Sequence, residues 1–350
     1  MLHWNKEINE DVPAEKDRQF YKYTKRSKMM KKRFVSLGLA LTMAASVLAG
    51  CSGSQKSSWK VTCPWAPSGV AAVVSQKVAE MSTKYSDNLM LVAEAVPGDA
   101  ATVNTWIANN DANSKELVFV GEGLLSITSI LDPAKMQFSY DDFTYVENLY
   151  SSVFVLSADA SLNVKTLVDL ENYVKDASEI SVAVNGATGS EAFLAASLFG
   201  SMGAGDKLKL TPYQSAAEVA QAVAKGESSF AVSHQSQILE TAQQSDVNVV
   251  CAFDEKAIEH GPFAGVEGVG EHGYPYFRNR CFVMARAGTD ADKVSELKGL
   301  YDKILADEEV TSWLQDTMLL EVDPMSQADV EQHIENVKNI VNEYKDIVAG

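Results

Sequence analysis

The chain has 350 residues, of which 47 are acidic and 30 are basic, so its formal net charge at pH 7 is −17. This balance argues against a nucleic-acid partner, because phosphate backbones are bound through basic patches. The four cysteines stand at spacings that suit no metal site, and no motif indicates a cofactor.

A secretory leader is predicted near the start of the chain. Residues 29–33 end in three basic side chains, residues 34–47 form an apolar run, and Leu48-Ala49-Gly50-Cys51 follows. A basic region, an apolar region and small residues before a cleavage point are typical of a signal peptide, which we place at 29–50. The apolar run is too short for a confident membrane span.

The end of this leader resembles the lipobox of bacterial lipoproteins. The resemblance implies that Cys51 is diacylated and that residues 51–58, rich in Ser, Gly and Lys, form a lipid-anchored linker. The alternative is an ordinary signal peptide in which Cys51 is incidental. Residues 1–28 are polar and charged, and we interpret them as a non-native leader extension rather than a genuine long n-region.

The part of the chain after residue 50 is more acidic than the whole. It holds 20 basic and 42 acidic residues, a net charge of −22, which suits solubility outside a cell. Cys63, Cys251 and Cys281 allow at most one disulfide. We expect buried thiols, with a Cys251–Cys281 bridge as the alternative.

Strand-like and helix-like segments alternate from residue 59 onward. The predicted strands are 59–63, 89–95, 117–121, 143–149, 152–157, 180–184, 207–212, 229–232, 247–253 and 281–285. The predicted helices are 70–85, 100–109, 124–130, 166–176, 191–202, 215–225, 235–244, 291–306, 308–317 and 327–347. This alternation is typical of an α/β fold with parallel sheets.

About 300 residues exceed the usual size of a single core, so two lobes are expected. Residues 152–157 and 281–285 are extended and apolar, and we interpret them as strands that link the lobes. The first lobe is then 59–154 plus 286–350, and the second is 155–285. A cleft between linked lobes allows closure on a ligand.

Three turns from strand to helix contain small residues: 63–69, 97–99 and 186–190. In open α/β sheets, ligands bind beyond the carboxyl ends of the strands. The first turns of the helices there offer unpaired N–H groups and a partial positive charge. Two facing helix N-termini would hold an anion such as a carboxylate without an arginine.

Sharper motifs are absent from the turn at 186–190. A phosphate-binding P-loop needs a lysine where Glu191 stands, and a nucleophile elbow needs glycines on both sides of Ser190. Ser190 is therefore interpreted as an N-cap or an anion contact, with a ligand-free helix start as the alternative. His234 follows a strand end, where it either contacts a ligand or has a structural role in the loop. Trp65 either lines the cleft or packs against the rest of the lobe.

The motifs together resemble the extracytoplasmic solute receptors of the tripartite tricarboxylate transporter family, also called Bug-type receptors. The similar segments are the turn at 64–69, Pro97-Gly98, "VKTLVDL" at 164–170, Gly189-Ser190 with Leu194-Ala195, "PYQSAA" at 212–217, residues 226–232 and "AGT" at 287–289. Their order and spacing cover about residues 59 to 347.

The resemblance implies a two-lobe periplasmic-binding-protein-like fold of type II that closes around a carboxylate held largely by backbone amides. It places the first-lobe contacts on Trp65, Ala66, Ser68 and Gly69. It places the second-lobe contacts on Thr188, Gly189 and Ser190, and His234 at a strand end that faces the cleft. It also implies delivery of the ligand to membrane permease subunits.

Several positions depart from the family pattern. Ser68 replaces a glycine, Ala71-Ala72 replaces Thr-Asp, Ala187 replaces a glycine, and Phe193 stands where the family often has histidine. These changes are compatible with an anion site and leave the identity of the ligand open, with a more apolar or aromatic ligand as an alternative.

The sequence therefore predicts a lipid-anchored, extracytoplasmic, monomeric solute-binding protein for a small carboxylate-bearing metabolite, with no catalytic activity and no metal. Two alternatives are a receptor of another uptake system and a ligand-sensing lipoprotein. A remote alternative is a hydrolase with Ser190 as nucleophile and His234 as base.

Overall fold

The computed structural model describes residues 56–244 and 246–350. The predicted leader extension, the signal peptide and the lipidation site at Cys51 lie outside the described residues.

A five-stranded mixed sheet forms the first lobe, in the order β2-β1-β3-β10-β4. Its strands are β1 (Ser57–Cys63), β2 (Leu89–Ala95), β3 (Glu116–Gly121), β4 (Phe143–Ser152) and β10 (Asn279–Arg286). β1 runs parallel to β2, with Ser57 opposite Leu89, and parallel to β3. β10 runs antiparallel to both of its neighbours.

A second five-stranded sheet repeats this arrangement in the order β7-β6-β8-β5-β9. Its strands are β5 (Phe154–Asp159), β6 (Ile180–Asn185), β7 (Leu208–Tyr213), β8 (Phe230–His234) and β9 (Val247–Ala252). β6 is parallel to β7 and β8, and β5 is antiparallel to β8 and β9.

Helices cover both faces of each sheet. They are α1 (Val70–Tyr85), α2 (Ala100–Ala108), α3 (Ser129–Leu131), α4 (Leu167–Asp176), α5 (Ser190–Ser201), α6 (Ala216–Ala224), α7 (Gln235–Gln243), α8 (Ala291–Leu305), α9 (Glu308–Ser312) and α10 (Gln327–Ala349). Shorter π and 3₁₀ segments are Leu124–Thr128, Pro133–Lys135, Tyr140–Asp142, Ala160–Leu162, Gly205–Lys207, Val269–His272 and Trp313–Thr317.

Local chemistry fixes several of the helix starts. The side chains of Thr166, Ser215 and Ser326 each accept a hydrogen bond from the backbone N–H of the third helical residue. The acidic side chain of that residue accepts one from the backbone N–H of the N-cap, so α4, α6 and α10 begin with capping boxes. In this way the N–H groups of the N-cap and of the third helical residue are satisfied at each of these three ends.

Each lobe has apolar layers on both sides of its sheet. In the first lobe, α1 and α8 pack on the face that carries Trp59 and Val61. In the second lobe, α5 contributes a run of fully buried side chains that pack on β6 and β8. Each fully buried large side chain stabilises the fold by about 1.5–3 kcal/mol, so the strand ends that carry the loops are held rigidly.

The chain crosses between the sheets at Val153, between β4 and β5, and returns through residues 253–278. Four strands of each sheet thus run in one direction, as predicted, whereas β10 and β5 run in the opposite direction, so the prediction was wrong for these two. The reason is that β5 enters its sheet directly from β4 in the other lobe, without a crossover helix. Residues 281–285 lie wholly inside the first sheet, so the return precedes the predicted linking strand.

The C-terminal helix α10 packs against both lobes. Val330 and Ile334 belong to the core beside β3 and β10, whereas Val337 and Val341 belong to the core of the second lobe. The predicted division placed all of 286–350 with the first lobe, and the structure differs because the apolar face of α10 is long enough to cover both.

The three cysteines in the described residues, Cys63, Cys251 and Cys281, are free and buried, as predicted. Burial raises the pKa of Cys63 to about 11 and raises the pKa of the other two thiols further. All three side chains therefore behave as small apolar groups.

Candidate functional site

The first predicted loop connects the end of β1 to α1. Gly69 is the N-cap of α1, and no side chain within residues 56–244 or 246–350 caps this helix. Gly69 donates its own N–H to the carbonyl of Ala66, at 2.8 Å, which makes the loop a tight turn. Ala66 and Ser68 are exposed, so the open first turn of a 16-residue helix faces out of the loop.

Trp65 closes one side of this loop by lying against the end of β3. Its ring atom Cζ2 is 3.2 Å from the position that a Cβ atom on Gly121 would occupy. Glycine is needed there because a side chain would press on the indole. Trp65 is partly buried, so it both packs on β3 and presents ring surface beside the loop.

The second predicted loop connects β6 to α5 and has the same construction. Gly186 adopts a left-handed conformation (φ 78°) that glycine tolerates best. Gly189 is the N-cap of α5, again without a side-chain cap among the described residues. The structure corrects one interpretation here: Ser190 is buried as the first helical residue and is not the N-cap.

The structure brings these two loops toward each other at the end of β3. The Oγ atom of Ser190 lies 4.0 Å from the position of a Cβ atom on Gly123. Gly123 is two residues after Gly121, which supports Trp65. The second-lobe loop therefore meets the first lobe next to the first-lobe loop, while Thr188 stays exposed on the outer side of its turn.

The electrostatics of the site come from the backbone and from one carboxyl group. Neither loop contains a lysine or arginine. The open ends of α1 and α5 supply partial positive charge. Glu191, the second residue of α5, is the ionisable group here, and burial raises its pKa to about 7.

The third loop, at 97–99, is closed by its own side chain. Asp99 caps α2 and accepts hydrogen bonds from the backbone N–H of Thr102, at 2.9 Å, and from its hydroxyl, at 3.1 Å. The bond from the Thr102 backbone is the main reason that the pKa of Asp99 is lowered. This loop therefore offers less to an anion than the other two.

His234 ends β8 and caps α7. Its Nδ1 lies 2.8 Å from the hydroxyl of Ser236 and accepts the Ser236 backbone N–H at 3.3 Å. The ring packs edge-on against Phe154 and is 6% exposed. Burial lowers its pKa to about 4, so the imidazole is neutral at pH 7.

The side-chain hydrogen bonds of His234 go to Ser236, and none among the described residues joins His234 to Ser190. Contact between His234 and a ligand stays a prediction.

Arg278 and Arg280 lie elsewhere, at the junction of the lobes. Arg278 binds Asp254 in a bidentate pair with distances of 2.9 and 2.6 Å. Arg280 donates to Asp323 at 2.7 Å. These residues and His333 line a polar cavity of about 620 Å³. The charges of Arg278 and Arg280 are matched by these carboxylates.

Three of the unusual positions are buried. Phe193 is fully buried in the second-lobe core, so it does not line the loop. Ala71 and Ala72 are also buried under the first loop. Gly121, Gly123 and Glu191 were not predicted as site residues; the only signal for the two glycines was their position at a strand end.

Within the described parts of the chain, no helix is long and apolar enough to cross a membrane. The same residues contain no group of three or more His, Cys, Asp or Glu side chains suited to a metal ion.

Comparison with known proteins gives a consistent result. The sequence profile described as "Tripartite tricarboxylate transporter family receptor" matches residues 123–348, more than half of the chain. The profile includes the second-lobe loop but begins after the first-lobe loop. A search of curated protein sequences finds no match.

Several solved structures share the fold. A TctC solute-binding protein from Polaromonas, solved without ligand, superposes with a TM-score of 0.71 at 15% identity, over 82% of this chain and 98% of its own. Rpa4515 of Rhodopseudomonas palustris with adipate gives 0.67 at 16% identity, over 83% and 97%. MatC from Rhodopseudomonas palustris with bound malate gives 0.62 at 18% identity, over 83% and 98%.

Proposed function

Because this chain belongs to the tripartite tricarboxylate transporter receptor family, whose members are solute-binding receptors and not enzymes, we propose that it captures a small carboxylate-bearing metabolite between its lobes. The contacts are those backbone N–H groups of the turns at 64–69 and 186–190 that have no partner within the turn, which leaves out Pro64, Pro67 and Gly69. The residues around the ligand are Trp65, Ala66, Ser68, Gly69, Thr188, Gly189 and Ser190.

One observation carries this proposal. Two long helices begin at glycine caps without side-chain partners, and their loops converge on the end of β3, where Ser190 approaches Gly123. Other helices, such as α4, α6 and α10, have side-chain caps that already accept the N–H of the third helical residue. An anion bound between α1 and α5 would satisfy the donors that the fold leaves open.

Acidic ligands in two similar structures support the same class of solute. One of those proteins holds adipate and the other malate. The net charge of −22 outside the leader opposes anions only at a distance, because salt screens it over about 8–10 Å. Inside the site the fixed backbone dipoles act at contact.

The cellular context follows from the leader and the family. We infer that the mature protein is anchored to the outer face of the membrane by lipid on Cys51 and works as a monomer. It delivers its ligand to the permease subunits of a tripartite tricarboxylate-type transporter. Labelling with a radioactive fatty acid, lost in Cys51→Ser, tests the anchor.

Thermal unfolding in the presence of organic acids tests the binding function. A ligand at 100 times its Kd stabilises the folded state by about 2.7 kcal/mol, which raises the Tm by several degrees. Malate, adipate and a series of mono- and tricarboxylates form the panel. Failure of every acid to raise the Tm contradicts the proposal.

The variant Ser190→Ala tests the second-lobe side of the site, and Ser201→Ala is its matched control. Loss of one hydrogen bond to a charged ligand weakens binding by about 1.5–3 kcal/mol, or at least tenfold. Ser201→Ala, at the far end of the same helix, leaves the Kd unchanged because Ser201 donates only to the Leu198 carbonyl.

A further inference from the structure

Glu191 occupies the position where the proposed ligand would bind the second lobe. It is the second residue of α5, and its Oε2 atom lies 3.1 Å from the point that a Cβ atom on Gly189 would occupy. The carboxyl group is therefore folded back over the N-cap, beside the open amides of the helix. The carbonyl oxygen of Asn185 lies at the same distance from that point.

No cation within the described residues neutralises this carboxyl group. The ion pairs among them leave Glu191 out. Its side chain is partly buried, and desolvation raises its pKa to about 7, offset only by its own backbone N–H. An unpaired, partly buried carboxyl group favours its neutral form.

The ionisable groups on neighbouring elements do not provide a charge partner. Glu122, which follows β3, is fully buried and accepts a hydrogen bond from Ser126. His234, at the end of β8, is neutral at pH 7 because burial lowers its pKa to about 4. The first loop carries no ionisable side chain other than Cys63, whose pKa burial raises to about 11.

A bound carboxylate would bring a second negative charge to the same helix end. When two carboxylates share one site, their repulsion strongly raises the pKa of one of them, which favours its protonated form. The ligand carboxyl has the ordinary pKa of a carboxylic acid, whereas the pKa of Glu191 is already raised to about 7. The proton therefore goes to Glu191.

We propose that Glu191 couples ligand capture to the uptake of one proton, which it uses to donate a hydrogen bond from its carboxyl O–H to the ligand carboxylate. This inference rests on the proposed function. The proton comes from solvent and adds to a Glu191 carboxylate oxygen; no other covalent bond changes. Binding then weakens as the pH rises above the range in which free Glu191 is protonated.

The test measures the Kd of malate and of adipate between pH 6.5 and 8.5 by isothermal titration calorimetry. For wild type, we expect the Kd to rise by roughly 25-fold across the range, with a slope that approaches tenfold per pH unit at its upper end. In Glu191→Gln, which cannot titrate, the Kd is expected to be independent of pH. Glu80→Gln, an exposed change on α1, should keep the wild-type slope.

A second measurement does not depend on a variant. Repeating the wild-type titration at pH 8 in two buffers with different ionisation enthalpies counts the protons, and we expect close to one per ligand. A flat wild-type Kd with no proton uptake, or a slope that persists in Glu191→Gln, overturns the role of Glu191 while leaving carboxylate binding intact. If no carboxylate binds at any pH, the proposed function fails and this inference fails with it.

Discussion

Ser190 and Gly123 lie 67 positions apart in the sequence and on different lobes, yet the Ser190 hydroxyl is 4.0 Å from where a Cβ atom on Gly123 would stand. Gly123 has helical backbone angles, φ −58° and ψ −25°, so other residues fit its conformation. What glycine provides is space opposite the start of α5.

A larger side chain at Gly123 should therefore impair binding without unfolding the protein. In Gly123→Leu the side chain enters the space in front of Ser190, and we expect the Kd for the best carboxylate to rise by about tenfold or more, the equivalent of 1.4 kcal/mol. Gly123→Ala makes only ordinary contacts and should change the Kd less than threefold. Equal Tm values with an unchanged Kd in Gly123→Leu would contradict this placement of the ligand.

Replacing glycine by alanine should have opposite effects on stability in two different helices. A Cβ atom on Gly200, in α5, would lie 2.8 Å from the Cε1 atom of Tyr344 on α10. Gly200→Ala should force α10 outward and destabilise the protein by about 1–3 kcal/mol. Gly299, inside α8, has open space around it, so Gly299→Ala should stabilise by about 0.5–1 kcal/mol. Urea unfolding measures both, and effects of equal sign would contradict the contact between α5 and α10.

Protonation of His234 should make the folded state less stable at mildly acidic pH. Its pKa is about 4 in the folded state and about 6.5 when unfolded, so the unfolded chain binds more protons between these values. The folded state is therefore favoured above pH 6.5 and loses stability as the pH falls toward 4, by about 2 kcal/mol between pH 7 and pH 5. Urea unfolding at both pH values should show a smaller loss in His234→Asn. A loss equal to that of wild type would mean that His234 is not the cause.

Loss of the ion pair between Glu147 and Lys298 should destabilise the protein, because it leaves a buried charge unpaired. Glu147 is fully buried, pairs with Lys298 and accepts the Asn148 N–H at 2.9 Å. Lys298→Met leaves this carboxylate without its cation and should cost about 1–3 kcal/mol.

The exposed pair Lys77–Glu309 provides the control for Lys298. Glu309 is 62% exposed, so Lys77→Met should cost less than about 1 kcal/mol. Adding Glu147→Gln to Lys298→Met should recover part of the loss in a double-mutant cycle. Similar costs for the two lysine changes would show that burial of Glu147 does not matter.

The sequence by itself determined the succession of elements and the two glycine turns that we propose as the anion site. Helix 70–85 and strand 89–95 were predicted to the residue, and the glycine turns at 69 and 189 were recognised before any contact was known. These features depend on local chemistry: apolar periodicity selects helix or strand, and glycine with small residues marks the turn.

Only the tertiary structure decided strand direction and which residues share the site. Apolar runs show that β5 and β10 are buried, but an apolar run is the same for a parallel and an antiparallel neighbour, and their direction follows from the crossing between lobes. The buried place of Phe193, the two-lobed packing of α10, and the meeting of Gly123 with Ser190 depend on residues far apart in the chain. The position of the Glu191 carboxyl group depends on the space left by Gly189, and no local sequence pattern predicts it.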